Sequence, residues 1–108
     1  MEPKRLFKQF GYVQELEFDD AFKAHLRRRA SYEKHRVSIR EINEVLLGIP
    51  AYFVNALSGR APLIMVGPTL RNRFLCVPIE PTERRGIWRP VTAFEANKHH
   101  IERYAGGQ

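Results

Sequence analysis

Residues 63–79, LIMVGPTLRNRFLCVPI, decide the fold of this chain. Leu63–Val66 is a short apolar run, which is typical of a buried strand. The next six residues, 67–72, include Gly, Pro and Asn and predict a turn. Arg73–Ile79 then returns as a second strand. Because two strands joined by a short turn run antiparallel, this hairpin is the expected centre of a sheet.

Three further strands are predicted on either side of this hairpin. Tyr52–Val54 is short and apolar, and residues 55–60 contain the Asn, Ser and Gly that suit a hairpin loop. Ile87–Val91 follows a charged loop, and Tyr12–Phe18 alternates weakly near the start of the chain. Successive strands with short connections predict an antiparallel meander.

Three helices are predicted around the strands. Asp19 offers an N-cap for a helix to about Tyr32. Ser38–Glu41 fits a capping box for a second helix, with Gly48 as its left-handed C-terminal residue. A second capping box, Thr92–Glu95, predicts the start of the last helix. The sequence therefore predicts an α+β fold of order β-α-α-β-β-β-β-α, a small antiparallel sheet with helices packed on it.

The composition indicates one basic domain. The 108 residues are enough for a single core, with 1–10 and 105–108 as candidate flexible extensions. Eighteen Lys and Arg against twelve Asp and Glu give a net charge of +6, which favours an anionic partner. The single Cys76 excludes an intramolecular disulfide and a cysteine-rich zinc site. Since no signal peptide or membrane span is visible, we expect a cytoplasmic protein that does not bind membranes.

Several motifs, taken in order, resemble the BrnT-type toxins of the RelE-like ribonuclease superfamily. Those proteins have Trp-Asp at the end of a first strand, where this chain has Phe18-Asp19. They have Lys-His-Gly-Val-Ser before the second helix, where residues 34–38 are KHRVS. Their Ile-Arg-Ile-Ile-Ser-Ala-Arg motif corresponds to residues 88–94, WRPVTAF, before a last helix that ends at Tyr104. The middle strand, residues 73–77 (RFLCV), also fits after Gly67 and a turn.

The resemblance implies a RelE-like fold and the toxin role of a type II toxin–antitoxin pair. Such toxins cut RNA without a metal or other cofactor and thereby inhibit translation. A BrnA-like antitoxin, which also binds DNA, neutralises them. The expected partners are therefore RNA and an antitoxin, and a homo-oligomer is a further expectation.

The resemblance also implies a site built from a histidine and cations. His35 is the expected acid or base, because the imidazole pKa lies near neutrality. Arg73 and Arg89 are expected to clamp phosphate, since the guanidinium matches two phosphate oxygens. The expected RNA-binding residues are Lys34, Arg36, Arg71, Lys98 and Tyr104.

Phe94 stands where the Ser-Ala-Arg motif of the family has its arginine. Loss of that cation leaves three hypotheses open. The chain is a ribonuclease in which another cation substitutes, or a catalytically inactive relative that binds RNA or a protein partner. The third hypothesis is a plain protein-interaction module that uses the uncharged Tyr52–Leu57 region.

Overall fold

The predicted central hairpin lies in a mixed six-stranded sheet in the computed structural model, which describes residues 2–56 and 59–106. The helices are α1 (Lys4–Phe10), α2 (Asp20–Arg29), α3 (Ile39–Leu47) and α4 (Lys98–Gly106). The strands are β1 (Glu15–Leu16), β2 (Ala51–Val54), β3 (Leu63–Pro68), β4 (Phe74–Pro81), β5 (Ile87–Pro90) and β6 (Phe94–Glu95). A 3₁₀ turn, Glu33–His35, connects α2 to α3. The fold is α+β, and none of these helices is long and apolar enough to cross a bilayer.

The predicted meander β2-β3-β4-β5 is antiparallel throughout. The order across the sheet is β1-β5-β4-β3-β2, and β6 pairs with β4 beyond the end of β5. The prediction of a purely antiparallel sheet is wrong at one edge, because β1 runs parallel to β5 with Leu16 opposite Trp88. The first strand is also shorter than the predicted Tyr12–Phe18, since only two of its residues pair with β5.

The core occupies both faces of the sheet. On one face, the buried side chains of α2 and α3 pack with those of the central strands and with Trp88. On the other face, α4 lies over a smaller cluster that includes Phe53, Val66 and Cys76. The 3₁₀ turn contacts β6, which places the chain between α2 and α3 at this edge of the sheet.

Helix α1 is absent from the predicted element order. Residues 4–10 fall in the expected flexible extension, yet they form a helix with Leu6, Phe7 and Phe10 packed on the core. Arg85 donates to the Lys8 and Gln9 carbonyls at 3.2 Å, which satisfies acceptors at the end of this helix. At the other end of the chain, residues 105 and 106 belong to α4, and residues 107–108 of the expected tail lie outside the described residues.

Two predicted helix starts are confirmed. Asp19 Oδ1 accepts from the Phe22 amide at 2.8 Å at the start of α2. Ser38 and Glu41 form the complete capping box of α3, with bonds of 3.1 and 3.0 Å. The predicted left-handed conformation of Gly48 is wrong, since its φ is −84°. Its amide instead bonds back to the Glu44 and Val45 carbonyls and closes the last turn.

The predicted capping box at Thr92–Glu95 is wrong. Phe94 and Glu95 form β6 opposite Cys76 and Leu75, and the Ala96 amide donates to the Phe74 carbonyl at 2.9 Å. Because the sheet uses these backbone groups, the helix begins later. Asn97 Oδ1 accepts from the His100 amide at 2.9 Å and takes the capping role.

Candidate functional site

The end of α2 and the 3₁₀ turn carry a dense run of cations, which we call the 27–36 segment. Its sequence, RRRASYEKHR, holds five Lys or Arg and one acidic residue, Glu33. Four of the five cations are exposed: Arg27, Arg28, Lys34 and Arg36. Within the described parts of the chain, none of the five lies within 4.0 Å of a carboxylate oxygen. Among the residues that the structure describes, no carboxylate therefore neutralises the positive charge of this segment.

Two contacts fix the shape of the 27–36 segment without cancelling its charge. Arg36 Nε donates to the Ala30 carbonyl at 2.9 Å, which ties the 3₁₀ turn to the end of α2. Arg29 Nη2 lies 3.2 Å from His35 Nε2. Because a guanidinium only donates, His35 Nε2 accepts this bond. The guanidinium groups thus keep their charge and gain a defined position.

Arg73, a predicted phosphate clamp, lies beneath the same turn and is fully engaged there. Its guanidinium pairs with Glu41 at 3.0 Å and with Glu95 at 3.2 Å. It also donates to the Arg36 carbonyl at 2.8 Å. Burial alone would raise the pKa of Glu41, but hydrogen bonds from Ser38 and Arg73 lower it below its ordinary value. The geometry therefore favours Arg73 as the residue that holds the turn against α3 and β6.

Arg89, the second predicted clamp, is surrounded by carboxylates on β4, on the residue after β1 and at the start of α2. It lies 3.4 Å from Glu17, 3.4 Å from Glu80 and 4.0 Å from Asp19. Arg84 pairs with the same Glu17 at 2.8 Å. An arginine with three carboxylate neighbours has little charge left for phosphate, so this geometry also favours a structural role.

His35, the predicted acid or base, is packed between aromatic rings. Its ring centroid lies 5.8 Å from that of Phe94 and 6.4 Å from that of Tyr32. Since Nε2 accepts from Arg29, the proton of the neutral ring lies on Nδ1. Nδ1 is buried, and no described residue accepts a hydrogen bond from it. His35 lies beside Arg29, and both of its nitrogens are closed to a substrate.

His25 is a better-placed imidazole that sequence reasoning missed. It lines a cleft of about 170 Å³ together with Asp19, Arg28 and Arg60. Its Nε2 lies 2.9 Å from the Thr92 hydroxyl. Burial lowers its pKa, and the nearby Arg28, Arg29 and His35 lower it further. The signal in the sequence was its spacing, since residues three and four apart on a helix share a face and Arg28 and Arg29 follow at these distances.

The remaining predicted RNA-binding residues divide between the segment and other elements. Lys34 and Arg36 lie in the 27–36 segment beside His35. Arg71 is exposed in the turn between β3 and β4. On α4, Lys98 lies 4.0 Å from Glu102, and Tyr104 donates to the Ile49 carbonyl at 2.8 Å. The structure therefore brings together only part of the predicted set.

Phe94 fills the position where the resemblance implies an arginine. Its ring lies between His35 and His100, with centroids 5.8 and 6.2 Å away. His100 Nε2 in turn lies 3.9 Å from Cys76 Sγ. Burial raises the pKa of the Cys76 thiol to about 12, so it is not a thiolate nucleophile at neutral pH. This stack is part of the core beneath α4.

No family model, no curated protein and no solved structure matches the chain. In the described ranges, no three His, Cys, Asp or Glu side chains are grouped as they would be around a metal ion. The 27–36 segment and the His25 cleft are therefore the candidate sources of chemistry in the described residues.

Proposed function

We propose that this protein is a ribonuclease toxin of the divergent BrnT-like, RelE-like kind, which cuts RNA without a metal ion. The observation that carries the proposal is the run of cations in the 27–36 segment beside the cleft that His25 lines together with Arg28. Five cations and one acid within ten residues form a surface suited to a polyanion. Arg28 belongs both to this segment and to the His25 cleft, so it links binding to chemistry.

The proposed reaction is transfer of a phosphodiester to the neighbouring 2′ oxygen. With Nε2 donating to the Thr92 hydroxyl, His25 accepts the 2′-hydroxyl proton on Nδ1 as that oxygen attacks phosphorus. The bond from phosphorus to the 5′ oxygen breaks, and the leaving oxygen takes a proton from solvent. The products are a 2′,3′-cyclic phosphate and a 5′-hydroxyl end. Arg28, which lines the cleft and has no carboxylate within 4.0 Å among the described residues, offsets the negative charge that develops on the phosphoryl oxygens.

A protein partner of the BrnA antitoxin kind belongs to this proposal. Two apolar side chains, Leu47 and Ile49, are 82% and 76% exposed at the end of α3. A groove of about 680 Å³ also runs along β2, and Phe7, Tyr52 and Phe53 are among its lining residues. Such a surface suits a protein rather than a nucleic acid, whether an antitoxin or a second copy of this chain.

The second candidate is an inactive relative that binds RNA without cutting it. Phe94 supports it, because an aromatic ring occupies the position of the family's arginine. The carboxylates around Arg73 and Arg89 also support it, since they remove both expected clamps. Cleavage, and not binding, separates the two candidates.

The test is incubation of purified protein with RNA in excess EDTA. We expect cleavage by the wild-type protein and a loss of about 10²- to 10⁴-fold in rate for His25→Gln. His99→Gln is the matched control, because His99 is exposed on α4. Because burial and the nearby cations lower the pKa of His25, and a general base must be unprotonated, the rate should fall with acid at a lower pH than for an ordinary imidazole.

Two outcomes would count against the catalytic proposal. Cleavage that survives in His25→Gln would remove His25 from the mechanism. Binding without cleavage by the wild-type protein, also in the presence of ribosomes, would favour the inactive relative.

A further inference from the structure

Tyr32 is an exposed aromatic residue in the middle of the 27–36 segment. It lies between the end of α2 and the 3₁₀ turn, and 61% of its surface is exposed. Single exposed aromatic side chains are common on protein surfaces, so the neighbours of Tyr32 decide what its ring can do. Neither the fold nor the proposed cleavage step uses this side chain.

Two neighbours hold the ring in place. The Arg29 guanidinium carbon lies 5.4 Å from the ring centroid, within the range of a cation–π contact. The His35 ring meets it edge-on, with planes at 81° and centroids 6.4 Å apart. Arg29 and His35 are themselves joined by a hydrogen bond. The three side chains form a positioned group, and the exposed fraction shows that these neighbours leave most of the tyrosine uncovered.

We infer that Tyr32 is a stacking platform for an unpaired base, and that the substrate of this surface is single-stranded RNA. This inference rests on the proposed function and names its substrate class. An exposed ring that is preceded in the chain by Arg27 to Arg29 and followed by Lys34 and Arg36 can take a base while the cations bind the adjoining phosphates. In duplex RNA the base faces are covered by stacking, so a duplex gains only the phosphate contacts.

Binding of short 2′-O-methyl oligoribonucleotides, which lack the attacking hydroxyl, tests this inference apart from cleavage. Fluorescence anisotropy would compare one single strand with the duplex of the same sequence. We expect Tyr32→Ala to weaken single-strand binding about 5- to 100-fold and to leave duplex binding within about 2-fold. Tyr32→Phe keeps the ring and should bind single strands within about 2-fold of the wild-type protein.

Tyr12→Ala is the matched control, because Tyr12 is 71% exposed in the connection between α1 and β1, outside the 27–36 segment. Thermal melts of each variant confirm that it is folded. If Tyr32→Ala binds single strands as tightly as the wild-type protein, or weakens duplex binding equally, the stacking inference is wrong while the phosphate surface stands. If the wild-type protein binds neither RNA, the inference and the proposed function both fail.

Discussion

The arginine side chains of this protein differ in whether a carboxylate lies close enough to neutralise their charge. Arg73 and Arg89 have carboxylate neighbours within 4.0 Å, whereas Arg27 and Arg28 have none in the described part of the chain. A paired guanidinium fastens elements together, and an unpaired one is available to phosphate. This difference, which a single sequence does not reveal, moves the proposed RNA contacts from the strands to the 27–36 segment.

Arg73 supplies the stability prediction at this scale. Arg73→Met removes charge-assisted bonds to Glu41 and Glu95 and the bonds to the 3₁₀ turn. We expect the free energy of unfolding to fall by about 2 kcal/mol, measured by urea denaturation. Arg40→Met is the control, because Arg40 is 87% exposed and its pair with Glu44 should contribute little. Unchanged stability with loss of RNA binding would instead restore Arg73 as a phosphate clamp.

Histidines show the limit of residue-level prediction. A motif resemblance singled out His35, and the structure does place it beside the cations. Its usefulness as an acid or base depends on its two nitrogens, and those are closed by Arg29 and by burial. His25, in contrast, lines a cleft formed by α2, the residues after β5, and Arg60. Such a cleft exists only after distant parts of the chain have packed.

At the scale of elements, local signals succeeded where the chain makes local contacts. The capping box at Ser38 is made entirely by residues three apart, so sequence alone defined it. The similar pattern at Thr92 does not form a capping box, because the backbone of Phe94 and Glu95 pairs with β4 in the sheet. Helix α1 was missed because it is stabilised by covering the core. Its own short sequence does not indicate that contact.

The capping box of α3 gives a prediction at the scale of a single element. Ser38→Ala removes the acceptor for the Glu41 amide and should lower the free energy of unfolding by about 1 kcal/mol. Ser31→Ala, at an exposed position in the turn after α2, is the control. Chemical denaturation of both variants measures the difference. Equal stability of the two would show that the cap contributes nothing to the anchoring of α3.

At the scale of the whole molecule, the important feature is where the charged residues lie and which of them form ion pairs. The net charge of +6 was visible in the sequence and predicted an anionic partner. Its distribution was not visible, because ion pairs such as Arg84 with Glu17 join residues far apart in the chain. Among the described residues, the five cations of the 27–36 segment have no carboxylate within 4.0 Å, and Arg73 ties that segment to α3 and β6 through Glu41 and Glu95. The fold class followed from hydrophobic patterns, while the site followed from tertiary pairing.

The most direct test of this account is the salt dependence of binding to uncleavable single-stranded RNA. The triple variant Arg27→Gln, Arg28→Gln, Lys34→Gln should reduce the slope of log Kd against log salt by about 2, near 0.7 for each lost phosphate contact. The control removes the same charge from α1 by Lys4→Gln, Arg5→Gln and Lys8→Gln and should leave the slope unchanged. Equal losses of slope in the two variants would contradict the account, because RNA would then respond to net charge and not to the 27–36 segment.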